Sequence, residues 1–333
     1  MSTAKTNFDV MVQNNLTDLI GGPSQLLFMQ HLEAVDGLAH QISLKSSTPL
    51  KVKDNILTPT DTLYKLNHCV QMILALYPLP HIDFHFLETL GINQRTFFLL
   101  SRILIILQQQ NGWFDITQIH YHPYKDNIRA VLENLWNETR GFIASPPVQK
   151  DLKKRDDLIK TQRTGNSKIV SKLLRQHTNI QVSRLSSLIT IQGNDPSLSI
   201  NELETNILRL KSKCLDQIQQ LNTEQLLCIQ WRIQRSMGRY YFNMLVYHKD
   251  ETILTFPENA EDYNTFTLNE DSPNAVTFNL EQCIINTFRL QKDNYHSNNL
   301  EYWKVIFNAM LYPLRYCTYE SKAISANFQS IIY

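Results

Sequence analysis

The 333-residue chain is long enough to form two domains, and its hydrophobic fraction of 43% is that of an ordinary globular protein. Its 9 glycines are few, which argues against a glycine-rich phosphate-binding fold, and its formal net charge of +1 gives no overall attraction to polyanions. The charges are segregated, however. Residues 149–175 carry nine Lys or Arg and three Asp, whereas residues 250–281 carry eight Asp or Glu and no Lys or Arg.

The cysteines and the apolar runs indicate a cytoplasmic protein. No Cys-x-x-Cys pair occurs, and the cysteines are widely spaced in apolar segments, which favours buried reduced thiols. They are Cys69, Cys214, Cys228, Cys283 and Cys317. The first residues lack the apolar core of a signal peptide, and the longest apolar run, residues 97–107, is too short to cross a bilayer. We therefore expect cytoplasmic localisation and no membrane partner.

The first part of the chain has the apolar spacing of amphipathic helices. The spacing predicts helices over residues 24–44, 61–77, 93–110 and 124–139, with a short helix over residues 81–90. Asn93 is the predicted N-cap of the helix that follows it. A Pro-Pro step at residues 146–147 marks a boundary, so residues 1–143 are interpreted as an N-terminal helical region. The charged residues 144–178 are predicted to form either a basic linker or an exposed helix.

The remaining residues, 179–333, have the pattern of an α+β domain with an antiparallel sheet. Strands are predicted over residues 181–192, 226–233, 239–247 and 275–280, and helices over residues 199–221, 280–289 and 300–311. Ser199 and Glu202 form a capping box at the start of the long helix. The predicted fold class is therefore α+β, with an N-terminal helical region followed by the antiparallel-sheet domain.

Aromatic residues and arginines alternate along the hairpin at residues 226–247. The rings are those of Trp231, Tyr240, Tyr241 and Phe242, and the arginines are Arg232, Arg235 and Arg239. Rings that stack on bases and guanidinium groups that bind phosphates are typical of single-stranded nucleic-acid sites. The alternative is that these rings face a sheet core and the arginines form a solvated edge. Lys153, Lys154 and Arg155 offer either further phosphate contacts or a solvated face.

The order of elements in residues 181–333 resembles the C-terminal domain of the inovirus-type phage replication proteins. The matching features are a strand, a helix of about twenty residues, the Trp231 strand, a turn with Gly238, a second strand, and a closing segment that contains Tyr316 and Tyr319. These proteins are similar to the rolling-circle initiators. The resemblance implies a sheet in which two histidines hold a divalent metal while a tyrosine attacks a DNA phosphate.

This chain departs from that family at the residues that carry the chemistry. Tyr241 and Asn243 occupy the two histidine positions, and neither is a good divalent-metal ligand. Tyr319 occupies the position of a lysine, and Lys322 lies three residues further on, which on a helix is nearly the same face. If catalysis survived, the resemblance would assign it to Tyr316, Tyr319 and Lys322 with a divalent metal. We instead predict a DNA-binding protein that has lost the nicking chemistry and needs no cofactor.

Several alternatives stay open from the sequence. His120 and His122 form a His-x-His pair that is either a metal site or a pair of loop histidines, and His248 is predicted to face solvent in a turn. Tyr316 and Tyr319 are either nucleophiles or aromatic residues that pack a terminal helix on the sheet. The predicted partner is DNA, single-stranded DNA included. The alternative function is a non-enzymatic module that binds a protein partner through its helical half.

Overall fold

The computed structural model describes residues 9–10, 23–76, 91–109, 113, 115–191, 199–236, 239–250, 254, 265–268, 276–279, 286–291, 297–321 and 323–333. The predicted short helix at residues 81–90, most of the acidic region 250–281, Gly238, Cys283 and Lys322 lie outside these residues. The fold class is α+β, as predicted. The chain forms two compact units and passes between them after Leu26, Asp157, Leu314 and Thr318.

The first unit, called the N-terminal unit, comprises Leu27–Asp157 and Arg315–Thr318. Its helices and strands, in chain order, are α1 (Pro23–Ser43), β1 (Leu50–Lys53), β2 (Ile56–Pro59), α2 (Asp61–Leu76), α3 (Gln94–Gln109), a 3-10 helix (Ile116–Tyr121), α4 (Lys125–Ile143) and the start of α5 (Pro146–Gln176). The four long helices predicted for this half are confirmed. Asn93 also caps α3, because its Oδ1 accepts the Thr96 backbone N–H at 2.8 Å.

The β1–β2 hairpin was not predicted from the sequence. Lys53 pairs with Ile56, so only Asp54 and Asn55 form the loop, and both have positive φ angles of 50° and 62°. Asp and Asn tolerate this conformation better than other non-glycine residues, and a two-residue loop of this kind matches the twist of the strands. The sequence pattern that could have predicted this hairpin is the Asp-Asn pair between two short segments of alternating polar and apolar residues.

A buried carboxylate joins α1 to the start of α3. Asp36 accepts hydrogen bonds from Arg95 Nε at 2.9 Å, from Thr96 Oγ1 at 2.8 Å and from Asn93 Nδ2 at 3.2 Å. Asp36 is only 5% exposed, and a charge this deep in a protein requires such partners. The N-terminal unit is therefore held by a polar network as well as by its apolar helix faces.

The second unit, called the sheet unit, includes Leu158–Leu314 and Tyr319–Tyr333. Its elements after α5 are β3 (Asn179–Ile191), α6 (Ile200–Leu221), β4 (Leu226–Ser236), β5 (Arg239–Lys249), β6 (Thr265–Leu268), β7 (Val276–Asn279), β8 (Asn286–Gln291), α7 (Ser297–Leu311) and β9 (Gln329–Ile332). The order in the sheet is β6-β7-β3-β5-β4-β9, and β8 pairs with the other end of β3. Every pairing is antiparallel.

Helix α6 covers one face of this sheet, called the α6 face. Its buried stripe comprises Ile207, Leu210, Cys214, Leu215 and Ile218, and the predicted capping box of Ser199 and Glu202 is formed. The stripe packs against alternate strand residues that include Leu185, Trp231, Phe242 and Met244. Because successive side chains of a strand point to opposite faces, the intervening residues of β3, β4 and β5 lie on the other face.

Helices α5 and α7 contribute to the opposite face, called the α7 face. Asn166 of α5 donates to Gln230 Oε1 at 2.7 Å and to Tyr247 Oη at 2.6 Å, and it accepts from Trp303 Nε1 of α7 at 3.0 Å. All four of these residues are buried. The Tyr247 hydroxyl also donates to Gln230 Oε1 at 2.7 Å, so this buried network fixes α5, α7 and the sheet in one arrangement.

Two sequence-based predictions are corrected or resolved by these elements. The helix predicted over residues 280–289 is wrong from residue 286 onward, where β8 pairs with β3 instead. Thr287 and Arg289 are exposed whereas Leu290 is buried, which is the two-residue period of a strand. The predicted linker or helix is the helix α5, which is continuous for 31 residues. Among the described residues, the helices are not long and apolar enough for any of them to cross a membrane.

The described cysteines are all free thiols. Cys69, Cys214 and Cys228 are buried, and Cys317 is partly buried. Burial raises the pKa of the Cys69 and Cys228 thiols to about 12, so both stay protonated at neutral pH. These two thiols therefore behave as small apolar core residues.

Candidate nucleic-acid interface

The hairpin of β4 and β5 does not present its rings to solvent. Trp231, Tyr240, Tyr241 and Phe242 are each at most 7% exposed. Tyr241 lies on the α7 face, whereas Tyr240 and Phe242 belong to the core under α6. The predicted stacking of bases on these rings is wrong, because aromatic side chains on this sheet are covered by helices on both faces.

The three hairpin arginines have different environments. Arg232 is 2% exposed, donates from Nη2 to the Met310 carbonyl near the end of α7 at 3.1 Å, and lies 4.6 Å from the centroid of the Phe328 ring. Burial lowers its pKa to about 10, which still leaves the guanidinium charged at neutral pH. A buried guanidinium cannot meet a phosphate, so the predicted DNA contact by Arg232 is wrong.

Arg235 and Arg239 lie on opposite faces of the sheet. The Arg235 guanidinium is partly buried and lies 4.9 Å from the Tyr319 ring centroid and 5.5 Å from that of Tyr240. Arg239 is exposed and hydrogen-bonds the Tyr241 hydroxyl. Of the three arginines, Arg239 alone is exposed, so this hairpin does not form a cationic surface.

Within the sheet unit, Tyr319 and the pair Tyr241 and Asn243 lie on different faces of the sheet. Asn243 and Tyr241 are on the α7 face, where Asn243 Oδ1 accepts from Ser186 Oγ at 2.7 Å. Tyr319 packs against the core on the α6 face. Tyr316 is buried in the N-terminal unit, where its carbonyl accepts the Asn93 backbone N–H at 2.8 Å. The sheet itself therefore separates Tyr319 from Tyr241 and Asn243.

Tyr319 is held as a hydrogen-bond donor. Its hydroxyl donates to Glu204 Oε1 at 2.6 Å, and Tyr240 donates to the same oxygen at 3.1 Å. Burial and the Glu204 carboxylate raise the pKa of Tyr319, so the phenol stays protonated at neutral pH. The segment from Tyr316 to Ser321 is not helical, and Lys322 lies outside the described residues.

The candidate histidines have structural partners. His120 Nδ1 accepts the Leu57 backbone N–H at 3.4 Å, and His122 Nδ1 accepts that of Tyr124 at 3.2 Å. His248 was expected in solvent but is 1% exposed and hydrogen-bonds Ser183 Oγ at 3.0 Å. Burial lowers the pKa of His248. Within the described part of the chain, no three His, Cys, Asp or Glu side chains are grouped so that they could hold a metal ion.

The predicted basic cluster at residues 153–155 is only partly available. Arg155 is 7% exposed, and it donates from Nε to the Asp151 carboxylate at 3.1 Å and from Nη2 to the Gly91 carbonyl at 3.1 Å. The prediction that Arg155 contacts DNA is therefore wrong. Lys153 and Lys154 are exposed, but Asp156 and Asp157 follow directly and are exposed as well. This half of α5 is of mixed charge.

The second half of α5, within the sheet unit, is different. Residues 158–176 contain no Asp or Glu, and their cations are all exposed. These cations are Lys160, Arg163, Lys168, Lys172 and Arg175, and together they are called the α5 cationic face. The helical spacing puts Lys160, Lys168, Lys172 and Arg175 on the side of the helix away from the buried Asn166, whereas Arg163 lies one turn before Asn166 and nearer to its side. No ion pair joins any of these five to another described residue.

A cleft runs along the C-terminal end of this face. Its volume is about 520 Å³, and its described lining residues are Thr164, Ser167, Lys168, Ser171, Lys172 and Arg175. Hydroxyl groups and ammonium or guanidinium groups are the donors that bind phosphate oxygens. The face therefore concentrates positive charge and hydrogen-bond donors on a rigid helix. The signal in the sequence was the i, i+4, i+7 spacing of Lys168, Lys172 and Arg175 in an acid-free stretch.

Comparison of the chain with protein-family models, with curated proteins and with solved structures finds no match in any of the three.

Proposed function

We propose that this protein binds nucleic acid, with the phosphate backbone lying along the α5 cationic face. The observation that carries the proposal is the set of five exposed cations, four of them on one side, along a helix segment that has no carboxylate. Phosphate contacts supply most of the sequence-independent affinity of proteins for nucleic acids, and each neutralised phosphate releases a counterion. A patch of this kind attracts a polyanion even though the whole chain is nearly neutral.

Helix α5 suits a backbone rather than a single phosphate group. The segment from Lys160 to Arg175 rises about 22 Å at 1.5 Å per residue, which is long enough to follow several consecutive phosphates. The order of elements that resembles the phage replication proteins favours DNA as the polymer. The affinity would be largely independent of base sequence, because lysine and arginine contacts to phosphates carry no sequence information.

The test measures the binding of labelled DNA by fluorescence anisotropy at a series of salt concentrations. The triple variant Lys168→Gln, Lys172→Gln, Arg175→Gln is expected to bind at least about tenfold more weakly near 0.1 M salt. The slope of log K against log salt should become shallower by about 2 to 3, since each lost phosphate contact changes it by roughly 0.7 to 0.9.

The matched control is the triple variant Lys45→Gln, Lys51→Gln, Lys53→Gln. These three lysines are exposed in the N-terminal unit, and their replacement changes the net charge by the same amount. The control is expected to keep the parent's salt slope. An equal loss in both triple variants, or no binding by the parent at low salt, contradicts the proposal and favours the alternative of a protein partner for the helical half.

We also propose that binding occurs without nicking. Supercoiled plasmid incubated with the protein and Mg²⁺ or Mn²⁺ is expected to stay supercoiled on an agarose gel. The reason is that Tyr319 is tied to Glu204 on the α6 face, away from Tyr241 and Asn243. Nicked circles formed by the parent but not by Tyr319→Phe would contradict the proposal of binding without nicking. They would indicate that the protein is an active initiator-type nicking enzyme.

A further inference from the structure

A second cleft lies between β8 and α7, away from the α6 face. Its volume is about 230 Å³, and its lining includes Phe288, Asn299, Tyr302 and Trp303. The rings of Phe288 and Trp303 form its aromatic floor, with centroids 5.5 Å apart and ring planes tilted by 56°. The Tyr302 ring stands at the rim and is 48% exposed. The cleft therefore offers aromatic surface on two sides and polar groups at its edge.

The floor of this cleft is fixed before any ligand arrives. Trp303 is 2% exposed, and its Nε1 donates to Asn166 Oδ1 at 3.0 Å. Its ring also contacts Tyr247 edge-on at a centroid distance of 6.4 Å. A ring held by both a hydrogen bond and packing loses little conformational entropy when a ligand stacks beside it.

The charge of the cleft distinguishes it from the α5 cationic face. Among its described lining residues the only arginine is Arg289, and its guanidinium forms an ion pair with Asp250. The other polar groups of the described lining, those of Thr287, Asn299 and Tyr302, are hydroxyl and amide groups. A neutral, ring-lined cleft favours a flat aromatic ligand with hydrogen-bonding edges over a bare phosphate. Its volume is below the roughly 300–1,000 Å³ of sites for drug-sized ligands, which suits a single ring system.

The cleft and the α5 cationic face are carried by neighbouring helices. The Asn166–Trp303 hydrogen bond joins α5 to α7, and packed helices lie about 8–10 Å apart. Most of the α5 cations lie on the side away from this bond, so a strand whose phosphates lie on α5 would pass around the helix to bring a base to α7. In a duplex that base is stacked and paired, whereas in a single strand it is free to leave the stack.

We propose that the cleft between β8 and α7 binds one unstacked base of a single-stranded nucleic acid. This inference rests on the proposed function, since the α5 cationic face supplies the backbone contact. The base would stack on the Tyr302 ring, with Asn299 available to hydrogen-bond its edge. The protein would then favour single strands over duplexes without strong base-sequence preference, because every base has a face that can stack.

The experiment compares Tyr302→Ala with Tyr64→Ala. Tyr64 is a matched control, since it is also a helical tyrosine that is 48% exposed, but it lies in the N-terminal unit. Binding of a labelled single strand, a duplex of the same length and a single strand with abasic sites is measured for each protein. Tyr302→Ala is expected to weaken single-strand binding by about tenfold, the typical loss for one stacked base. Duplex binding, salt slope and urea unfolding should be unchanged, and Tyr302→Phe should retain most of the affinity.

The outcomes separate this inference from the proposed function. If the α5 triple variant loses affinity but Tyr302→Ala binds single strands as the parent does, the cleft is not a base site and the backbone site stands. If the parent binds abasic and intact strands equally, the cleft proposal is also overturned. If Tyr302→Ala weakens single-strand binding while the α5 triple variant does not, the base site is supported and the backbone site is rejected.

Discussion

Replacing Glu204 by alanine is expected to lower the free energy of unfolding of the sheet unit by about 3 kcal/mol. Glu204 is fully buried on α6, although it lies beside the apolar stripe that packs on the sheet. Its Oε1 accepts from Tyr240 and Tyr319, and its Oε2 accepts from Ser321. Hydrogen bonds to a charged group contribute roughly 1.5–3 kcal/mol each, but these three share one acceptor group and will not add.

Most of the stability lost on removing Glu204 should come from the Tyr240 hydroxyl. This hydroxyl is buried with the ring, where solvent does not reach it, so the donor would be left without a partner when the carboxylate is removed. Tyr319 and Ser321 are only partly buried, and water can satisfy them. The same network attaches the closing segment at residues 319–321 to α6, so that segment should become more susceptible to protease when Glu204 is removed.

The measurement is urea unfolding of Glu204→Ala and Glu204→Gln beside Glu224→Ala. The glutamine variant keeps the shape and one acceptor oxygen, and it is expected to cost about half as much as alanine. Glu224 is exposed just after α6, and its loss should change stability by less than about 0.5 kcal/mol. Equal stability of the Glu204→Ala and Glu224→Ala proteins would mean that the hydroxyl network contributes nothing to folding.

The second large effect is expected from acid acting on His31 in the N-terminal unit. His31 is fully buried in α1, and burial, with a smaller contribution from nearby His68, lowers its pKa from the usual 6.5 to about 4. In the unfolded chain the His31 imidazole is protonated below about pH 6.5, whereas in the folded chain it is protonated only below about pH 4. The contribution of neutral His31 to the free energy of unfolding is fully present above pH 6.5 and is lost as the pH falls from 6.5 to 4. This lowers the free energy of unfolding by about 3 kcal/mol.

The variant His31→Met removes this titration and keeps an apolar side chain of similar size. Between pH 7.5 and pH 4 the free energy of unfolding of the parent should fall by about 3 kcal/mol more than that of the variant. Amide hydrogen exchange of α1 at each pH is the readout, because it reports on this unit alone. His40→Asn serves as the comparison, since His40 is exposed on the same helix. The same pH dependence in the His31→Met protein and the parent would show that His31 does not limit acid stability.

Local patterns were enough to predict most elements of this protein. The helical period located α1 to α4, and the capping signals located the starts of α3 and α6, since these depend on residues within one turn. The hairpin of β4 and β5 was predicted from β-favouring residues around a short polar turn. The β8 strand was mistaken for a helix because a six-residue apolar alternation is too short to distinguish from the end of a helical stripe.

The candidate site was predicted less well, and the arginines explain why. Arg232, Arg235 and Arg239 look alike in the sequence, yet one is buried beneath α7, one is stacked on two tyrosines and one is exposed. The strand register determines the face of the sheet on which each arginine lies. Helices from distant parts of the sequence determine whether that face is covered. Arg155 is a similar case, because its partner carbonyl at Gly91 is 64 residues away.

The amino-acid sequence by itself determined the α+β class, the long helices, the β4–β5 hairpin and the concentration of positive charge in residues 149–175. These follow from spacing, caps and charge, which are properties of neighbouring residues. Only the tertiary structure decided that Arg155 is buried while Lys160 to Arg175 are exposed, and that the Tyr319 hydroxyl donates to Glu204. It also decided that the sheet separates Tyr319 from Tyr241 and Asn243. Exposure and the choice of sheet face depend on contacts between distant segments, and no local pattern contains them.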